Sequence, residues 1–429
     1  MTAPPGAFAA LAHDHLLEPY RAHRDAPEPR LESLARRFRA VYDALGAAGE
    51  ESPAPQATEW LLDNRHKVGA ALAEVRQALP AAFWRRLPRL ASDPSVPRAE
   101  AVARALLELS SWELDLRRLE ELLDGYQEIS PLTIGELWAL ASLLRLALLE
   151  ALAETAERLA GLAAAPEEPD LETRVVACIV SLRTLEATDW RTVFERTSRV
   201  ERELYRDPAG FYRRMDFPSR DLYRKEVEDL ARGSAATEPE VARAVVAAAG
   251  QAADERARHV GSHLSGTGRR AIERDLGYRP PRRSRFSRLA RAFPRTIYLG
   301  ALTLVVLLAA AAAAGLAAAA GGSPGQVAAA WLLSLLPTSI LAVSLVNALI
   351  TWTVPPRVLP RLDFEQDGIP EEHATLVVVP CLLTGGGELE ALLRDLEIDF
   401  LANGGPHVGF ALLSDFADAG QRETAEDRA

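Results

Sequence analysis

Cysteine and lysine are scarce in this chain. Its 429 residues include two cysteines, Cys178 and Cys381, and of 49 lysines and arginines only Lys67 and Lys225 are lysine. Two thiols that far apart, with no CxxC pair and no His/Cys cluster, exclude a disulfide framework and give no zinc site. That agrees with a reducing compartment. The first twenty residues, MTAPPGAFAALAHDHLLEPY, lack the basic region and unbroken apolar core of a signal peptide. Residues 1–295 hold no nucleophile–base pair, no phosphate loop, no strand-like alternation and no short-period repeat. Positive charge is also short overall. The formal net charge of −11 argues against a general nucleic-acid binder, so no nucleic-acid partner is expected.

The most consequential absence is local. Two runs, Thr296–Ala320 and Val327–Val354, contain no Asp, Glu, Lys, Arg or His, and only GGSPGQ separates them. About 20 mostly apolar residues in a helix cross ~30 Å of hydrocarbon. Both runs reach that length, so a transmembrane helical hairpin is predicted. The first run is rich in Ala and Gly and is the weaker span. A buried hairpin inside a large soluble protein is the alternative. Arg282, Arg283, Arg285, Arg288, Arg291 and Arg295 precede the hairpin, Arg357 and Arg361 follow it, and the turn is uncharged. The positive-inside rule puts both flanks in the cytoplasm and the turn outside. A lipid bilayer is the expected partner, with anionic headgroups matching the basic approach.

Before the hairpin the pattern is helical. A short helix is expected near Leu31–Ala47, then a loop in which Pro53 and Pro55 block helix. Ala99–Leu123 reads as one amphipathic stretch. Leu132–Leu162 is the most apolar segment outside the spans. Thr133 and Glu136 have capping-box spacing at its start, and Glu136, Arg145, Glu150 and Glu154 interrupt it. It is predicted as a central core helix, with a third membrane span as the rival. APEEPDLE, from Ala165, breaks the pattern. Thr188 or Asp189 caps a helix to about Leu204, Asp207–Gly210 makes a turn, and Ser219 caps a helix through Arg232. Arg206, Arg213, Arg214, Arg220 and Arg224 lie beside Tyr205, Tyr212 and Tyr223. They read either as a phosphate-type ligand site or as ion pairing on helix surfaces. His259 and His263 have i, i+4 spacing but lack the companions of a metal site.

After the hairpin the character changes. Thr375–Val379 reads as a buried strand, Glu388–Asn403 as a helix and His407–Leu413 as a second strand. This is a βαβ unit with parallel strands, and ligands bind at carboxyl ends of such strands. Asp415 and Asp418 stand at that edge. They serve equally as acceptors for a base or ribose and as solvated acids of a polar loop. Cys381 also follows a strand, without a paired base. About 60 residues remain from the start of this unit at 370, whereas a sheet domain needs ~100–150. The chain is therefore expected to stop inside its second domain.

Three segments carry a resemblance. They are YQEISPLTIGELWALASLLRLALLEALAE from Tyr126, TDWRTVFERTSRVERELYRDPAGFYRRMDFPSRDLYRKEVEDLA from Thr188, and LPRLDFEQDGIPEEHATLVVVPCLLT from Leu359. The third continues through LEIDFLANGGPHVGFALLSDFADA. In that order around the hairpin, they resemble the N-terminal portion of bacterial cyclic β-1,2-glucan synthases. Abundant Ala, Arg, Leu and Glu with little Lys fit a GC-rich bacterial source. The resemblance implies a mainly α chain: a helical cytoplasmic domain, a two-helix transmembrane hairpin, then the start of an α/β domain like GT-A glycosyltransferases. The expected parts are an N-terminal extension (1–58), the helical domain (59–290), the hairpin (296–354), an incomplete βαβ unit (370–420) and a polar tail (421–429). It implies the bacterial inner membrane, multi-pass, with both termini cytoplasmic. Such enzymes transfer glucose from UDP-glucose to a protein-linked β-1,2-glucan and cyclise it. By similarity Asp415 and Asp418 would contact the uridine, and Val379 and Pro380 would line the nucleotide side. The complete transferase domain is expected to use Mg or Mn. However, the DxD, the catalytic acid and the QxxRW-like motif are missing from residues 363–429, where Ser414–Asp418 reads SDFAD. No catalytic residue and no metal ligand is therefore expected in this chain, which alone is expected to be inactive. The remainder of a split synthase is a further expected partner. The alternative is a non-catalytic, membrane-anchored helical scaffold.

Overall fold

The computed structural model describes residues 5–17, 25–48, 55–163, 171–281, 292–354, 356, 358–365, 368–383 and 386–416. Contacts divide the chain into two units, Met1–Arg213 with Asp221–Val358, and Arg214–Arg220 with Leu359–Ala429. The described helices are α1 (Pro5–Asp14), α2 (Glu28–Ala48), α3 (Pro55–Asp63), α4 (Arg65–Ala78), α5 (Ala81–Trp84), α6 (Arg98–Leu109), α7 (Leu116–Ile129), α8 (Ile134–Leu159) and α9 (Leu171–Ala187). They continue as α10 (Trp190–Thr197), α11 (Arg199–Leu204), α12 (Phe217–Arg232), α13 (Glu238–Gln251), α14 (Val260–Leu264), α15 (Arg269–Asp275), α16 (Pro294–Ala319), α17 (Pro324–Thr353) and α18 (Gly386–Asn403). Two strands, β1 (Thr375–Leu383) and β2 (Val408–Phe416), flank α18. The chain is mainly α, with two candidate spans and a small parallel sheet, as the sequence predicts.

The helix α8 is the centre of the first unit. Twenty of its 26 residues are buried, and α2, α4, α6 and α9 pack on it. It is thus a core helix rather than a third span. Its charges explain why it can be. Thr133 caps it and Glu136 closes the capping box. The Glu136 carboxylate also takes two bonds from Arg98, at 2.8 and 2.5 Å, with both side chains at most 2% exposed. Arg98 spends its other donors on Ser130 Oγ and the Pro131 carbonyl. A buried pair satisfied this fully is stable in place, whereas removal of one partner strands a charge at about 3–5 kcal/mol. Arg145 bonds the Leu185 carbonyl and pairs with Glu74.

Several boundaries differ from the sequence reading. Pro55 opens α3 instead of blocking helix, because its fixed φ and missing N–H suit the first turn. Ala99–Leu123 is broken into α6 and α7. Ser111 and Trp112 take left-handed φ of 52° and 66°, and Asp115 then caps Arg117 and Arg118. The helix from Asp189 stops at Ser198, which caps α11. Asp216, not Ser219, caps α12, accepting from the Ser219 N–H at 2.8 Å. APEEPDLE falls almost wholly outside the described residues.

The hairpin forms from α16 and α17, which pack chiefly on each other. Gly321, at φ +83°, turns the chain, and Ser323 caps α17 with Gln326 as its reciprocal partner. Hence α17 begins at Pro324, inside the predicted link. Both helices are long and apolar enough to cross a membrane, and only 6% and 11% of their most apolar stretches are buried. Leu316, Leu333, Leu336 and Trp352 are 74–84% exposed. The soluble-core alternative would have covered them. The Tyr298 hydroxyl meets Asn347 Oδ1 across the pair at 3.1 Å. The hydroxyls of Ser334, Thr338, Ser344 and Thr353 turn back onto carbonyls of their own helix. That leaves few polar groups needing water.

In the second unit β1 and β2 run parallel, with Thr375 opposite Val408 and Leu383 opposite Phe416. Both strands are longer than predicted, and Pro380 and Cys381 lie within β1. A two-stranded sheet has only edge strands, so a proline without N–H is tolerated. The chain around Leu362 also bridges Met215, with Asp363 N–H on the Arg214 carbonyl at 2.7 Å and Arg361 N–H on Ser219 Oγ at 2.7 Å.

Glu238 generates a test of the first unit. It opens α13 and accepts the first N–H of α8, Ile134, at 2.6 Å. Burial pushes its carboxyl up to about 7, with Glu228 and Glu136 adding to the shift and the Ile134 bond opposing it. The folded value therefore lies above the unfolded one, near 4.3. Its contribution is complete below the unfolded value and is lost as pH rises toward 7. Across that window the stability of the parent should fall by on the order of 3 kcal/mol relative to Glu238→Gln, read from urea midpoints. Parallel pH profiles for the two proteins would show that Glu238 ionises normally.

Candidate functional site

The four predicted nucleotide-side residues do not share one surface. Side chains alternate along a strand, and residues opposite one another in register share a face. Val379 stands opposite Leu412, on the face that includes Phe410. Phe400 of α18 meets Phe410 there, with ring centroids 6.0 Å apart, and Val379 is half-buried. Pro380 stands opposite Leu413 and Asp415 opposite Leu382. These lie on the other face with Leu376 and Val378, and all are exposed. Asp415 is thus inside β2 rather than beyond its end. The pleat brings Pro380 and Asp415 together and turns Val379 away. Asp418 lies outside the described residues.

The arginine–tyrosine cluster resolves into separate roles. Arg224 and Glu201 are both fully buried, joined by bonds of 2.8 and 3.2 Å. The Tyr212 hydroxyl donates to the same Glu201 at 2.8 Å, and Phe194 lies 5.0 Å under the guanidinium. Burial pushes the Tyr212 phenol well above its ordinary value, and the neighbouring Glu201 charge adds to this. Arg206 pairs with Glu203 on the surface, Arg213 bonds the Tyr205 carbonyl, and Arg214 pairs with Glu372 at 2.6 Å. Arg220 sits in the first turn of α12. The five arginines do not converge on a ligand. Nor is Arg224 a surface partner at helical spacing, since its acceptor is 23 residues away.

His259 and His263 also separate. His259 precedes α14 as its N-cap. Its Nδ1 meets Asp207 Oδ2 at 2.9 Å and its Nε2 meets the Tyr223 hydroxyl at 3.1 Å. Asp207 is fully buried in its side chain and also accepts from Val260 and Tyr212 N–H groups. Burial alone would push its carboxyl up, but the His259 and backbone bonds outweigh it and hold it below the usual value. A Cβ on Gly261 would lie 2.1 Å from the Tyr223 hydroxyl, so the backbone of α14 packs directly against this hydroxyl. His263 bonds the Ala257 carbonyl instead. Among the described residues no three His, Cys, Asp or Glu side chains converge as metal ligands. Sequence reasoning missed Asp207 and Glu201 as buried hubs. The only signal was an acid within reach of each cluster.

No family model matches the chain. It is 30% identical to the cyclic β-(1,2)-glucan synthase NdvB of Rhizobium meliloti (strain 1021), over 479 aligned positions that take in 92% of this chain. The chain is a relative of that cyclic β-1,2-glucan synthase. It spans 17% of the synthase's length. The similarity therefore takes in nearly the whole chain and is not confined to one motif.

The two thiols test the placement of β1. Cys178 is buried in α9, where burial pushes its thiol up to about 12, while Cys381 is partly open in β1. In detergent solution a thiol reagent should label one cysteine per native chain, at Cys381, and reach Cys178 only in denaturant. Labelling of Cys178 in the native protein would contradict the packing of α9.

Proposed function

We propose that this chain is the N-terminal, membrane-anchoring portion of a cyclic β-1,2-glucan synthase. The observation that carries the reading is similarity over 92% of the chain to a synthase of that kind. The two uncovered apolar helices support a membrane location. In this reading residues 59–290 form a cytoplasmic helical domain and residues 296–354 cross the inner membrane twice. Residues 370–420 begin the GT-A-like domain. Arginines on both flanks and an uncharged turn support cytoplasmic termini, although Arg282–Arg291 and Arg357 lie outside the described residues. UDP-glucose is the donor and the glucan the acceptor.

The chemistry available to these residues is recognition alone. Asp415 would accept from the nucleotide on the open face that it shares with Pro380. Asp418 would join it, and Val379 would support the strand from the helix-covered face. A divalent cation is the ordinary partner of a sugar diphosphate, but the described residues assemble no ligand set for one. In this reading glucose transfer needs further parts of a synthase, a reading supported by the chain spanning 17% of the length of the synthase it matches. A non-catalytic scaffold made from the same parts is the second reading. The buried ion pairs favour it, because each charged cluster described above is consumed by packing.

A chimaera tests the proposal. The matching segment of the Rhizobium synthase is replaced by this chain, and membranes are supplied with radiolabelled UDP-glucose. The chimaera should form cyclic β-1,2-glucan, and this chain alone should form none. A folded, membrane-inserted chimaera without product contradicts the synthase reading. Transfer of glucose by the purified chain contradicts its dependence on further parts.

A further inference from the structure

A cleft of about 640 Å³ opens in the helical unit where Asp25, the first turn of α2, α5, the Ser95–Val96 loop and α6 meet. That volume falls within the ~300–1,000 Å³ of small-molecule sites. Its charged groups are locked to one another. Arg30 grips Glu100 with bonds of 3.1 and 2.7 Å and reaches Glu150 at 2.6 Å. Arg104 takes the other Glu150 oxygen at 2.5 Å. Asp25 accepts from the Trp84 indole N–H at 2.9 Å and pairs with Arg89 at 2.9 Å. Three guanidiniums (Arg30, Arg89, Arg104) thus face three carboxylates (Asp25, Glu100, Glu150), and the set is formally neutral. Ala26, Val96 and Ala101 supply an apolar floor.

This arrangement selects by chemistry. A charged ligand would unbalance a set already neutralised within itself. A purely apolar ligand would bury carboxylates and guanidiniums against nothing that can bond them. A hydroxyl both donates and accepts, so it can bridge a guanidinium N–H and a carboxylate lone pair without disturbing either. The C–H faces of a sugar ring would meet the alanines and the valine. The ion pairs hold Arg30 and Arg104 in place before any ligand arrives, which reduces the ordering cost of binding. We infer that this cleft binds a neutral oligosaccharide, a segment of linear β-1,2-glucan. The neutral polyol class follows from the cleft, and the choice of glucan rests on the proposed function. The cleft would hold the polymer on the helical unit while it is handled elsewhere in a synthase.

The test is calorimetric titration of the whole detergent-solubilised chain with linear β-1,2-gluco-oligosaccharides, beside β-1,3-linked oligosaccharides of equal length. Ala101→Trp fills the cleft and leaves all the ion pairs intact. Arg104→Gln removes a half-exposed donor while Arg30 still holds Glu150. The parent should bind the β-1,2 series saturably, and each variant should weaken binding at least about tenfold. Unchanged unfolding midpoints would show that both variants fold. Absence of saturable binding by the parent, or undiminished binding by Ala101→Trp, overturns the inference. Equal affinity for the β-1,3 series overturns the assignment to β-1,2-glucan. A chimaera that makes glucan while this chain fails to bind it removes the cleft inference and leaves the synthase reading standing.

Discussion

From Thr296 to Thr353 the chain offers water no charge, and the fold does not hide that surface. A leucine left in water forgoes ~25 cal/mol for each Å² it could have buried. Two whole helices in that condition suggest an apolar solvent such as a membrane. The length of α16 and α17, the capped turn between them and the inward-turned hydroxyls all meet the demand of a bilayer for internally satisfied backbone. The rest of the architecture is set by this constraint. In chain order the hairpin stands between a helical part and an α/β part, and the βαβ unit begins a short way along the chain beyond the second helix.

The contrast with α8 shows what the sequence could and could not disclose. Both α8 and α17 are long, capped and apolar. The difference lies in six charges, Glu136, Arg145, Glu150, Glu154, Glu157 and Arg158, which a span would not tolerate. Their presence alone identified α8 as a core helix. The partners of Glu136, Arg145 and Glu150 were not legible, because Arg98, Glu74 and Arg30 come from distant helices. Local signals fared similarly. The Thr133–Glu136 cap was read directly from residue spacing, whereas Ser323–Gln326, which has the same spacing, was read as part of the link. The break at Ser111–Trp112 was not legible, since nothing in two ordinary L-residues advertises left-handed backbone.

The candidate site was legible to the level of elements and not of faces. Two strands and their helix were read correctly in kind and order. Both strands were cut short because Pro380 and the Ser414–Asp415 pair read as strand ends. In fact an edge strand accommodates them. With those residues inside the strands, the pleat decides which side chains meet, and it separates Val379 from Pro380 and Asp415. The arginine and histidine clusters failed for a different reason. Their density suggested a ligand, but the buried Arg224 and His259 each had an acid reserved for it elsewhere in the chain. The cleft beside Trp84 had no sequence signature, because its charges cancel only after α2, α6 and α8 have packed.

In the proposed topology the hairpin crosses a membrane with its turn on the outer side. Ser323→Cys, in that turn, tests it directly beside the native Cys381 in β1. Intact spheroplasts are treated with a membrane-impermeant maleimide. The expected result is labelling at position 323 from outside and at Cys381 only after permeabilisation. Labelling of Cys381 in intact spheroplasts, with position 323 protected, would contradict it.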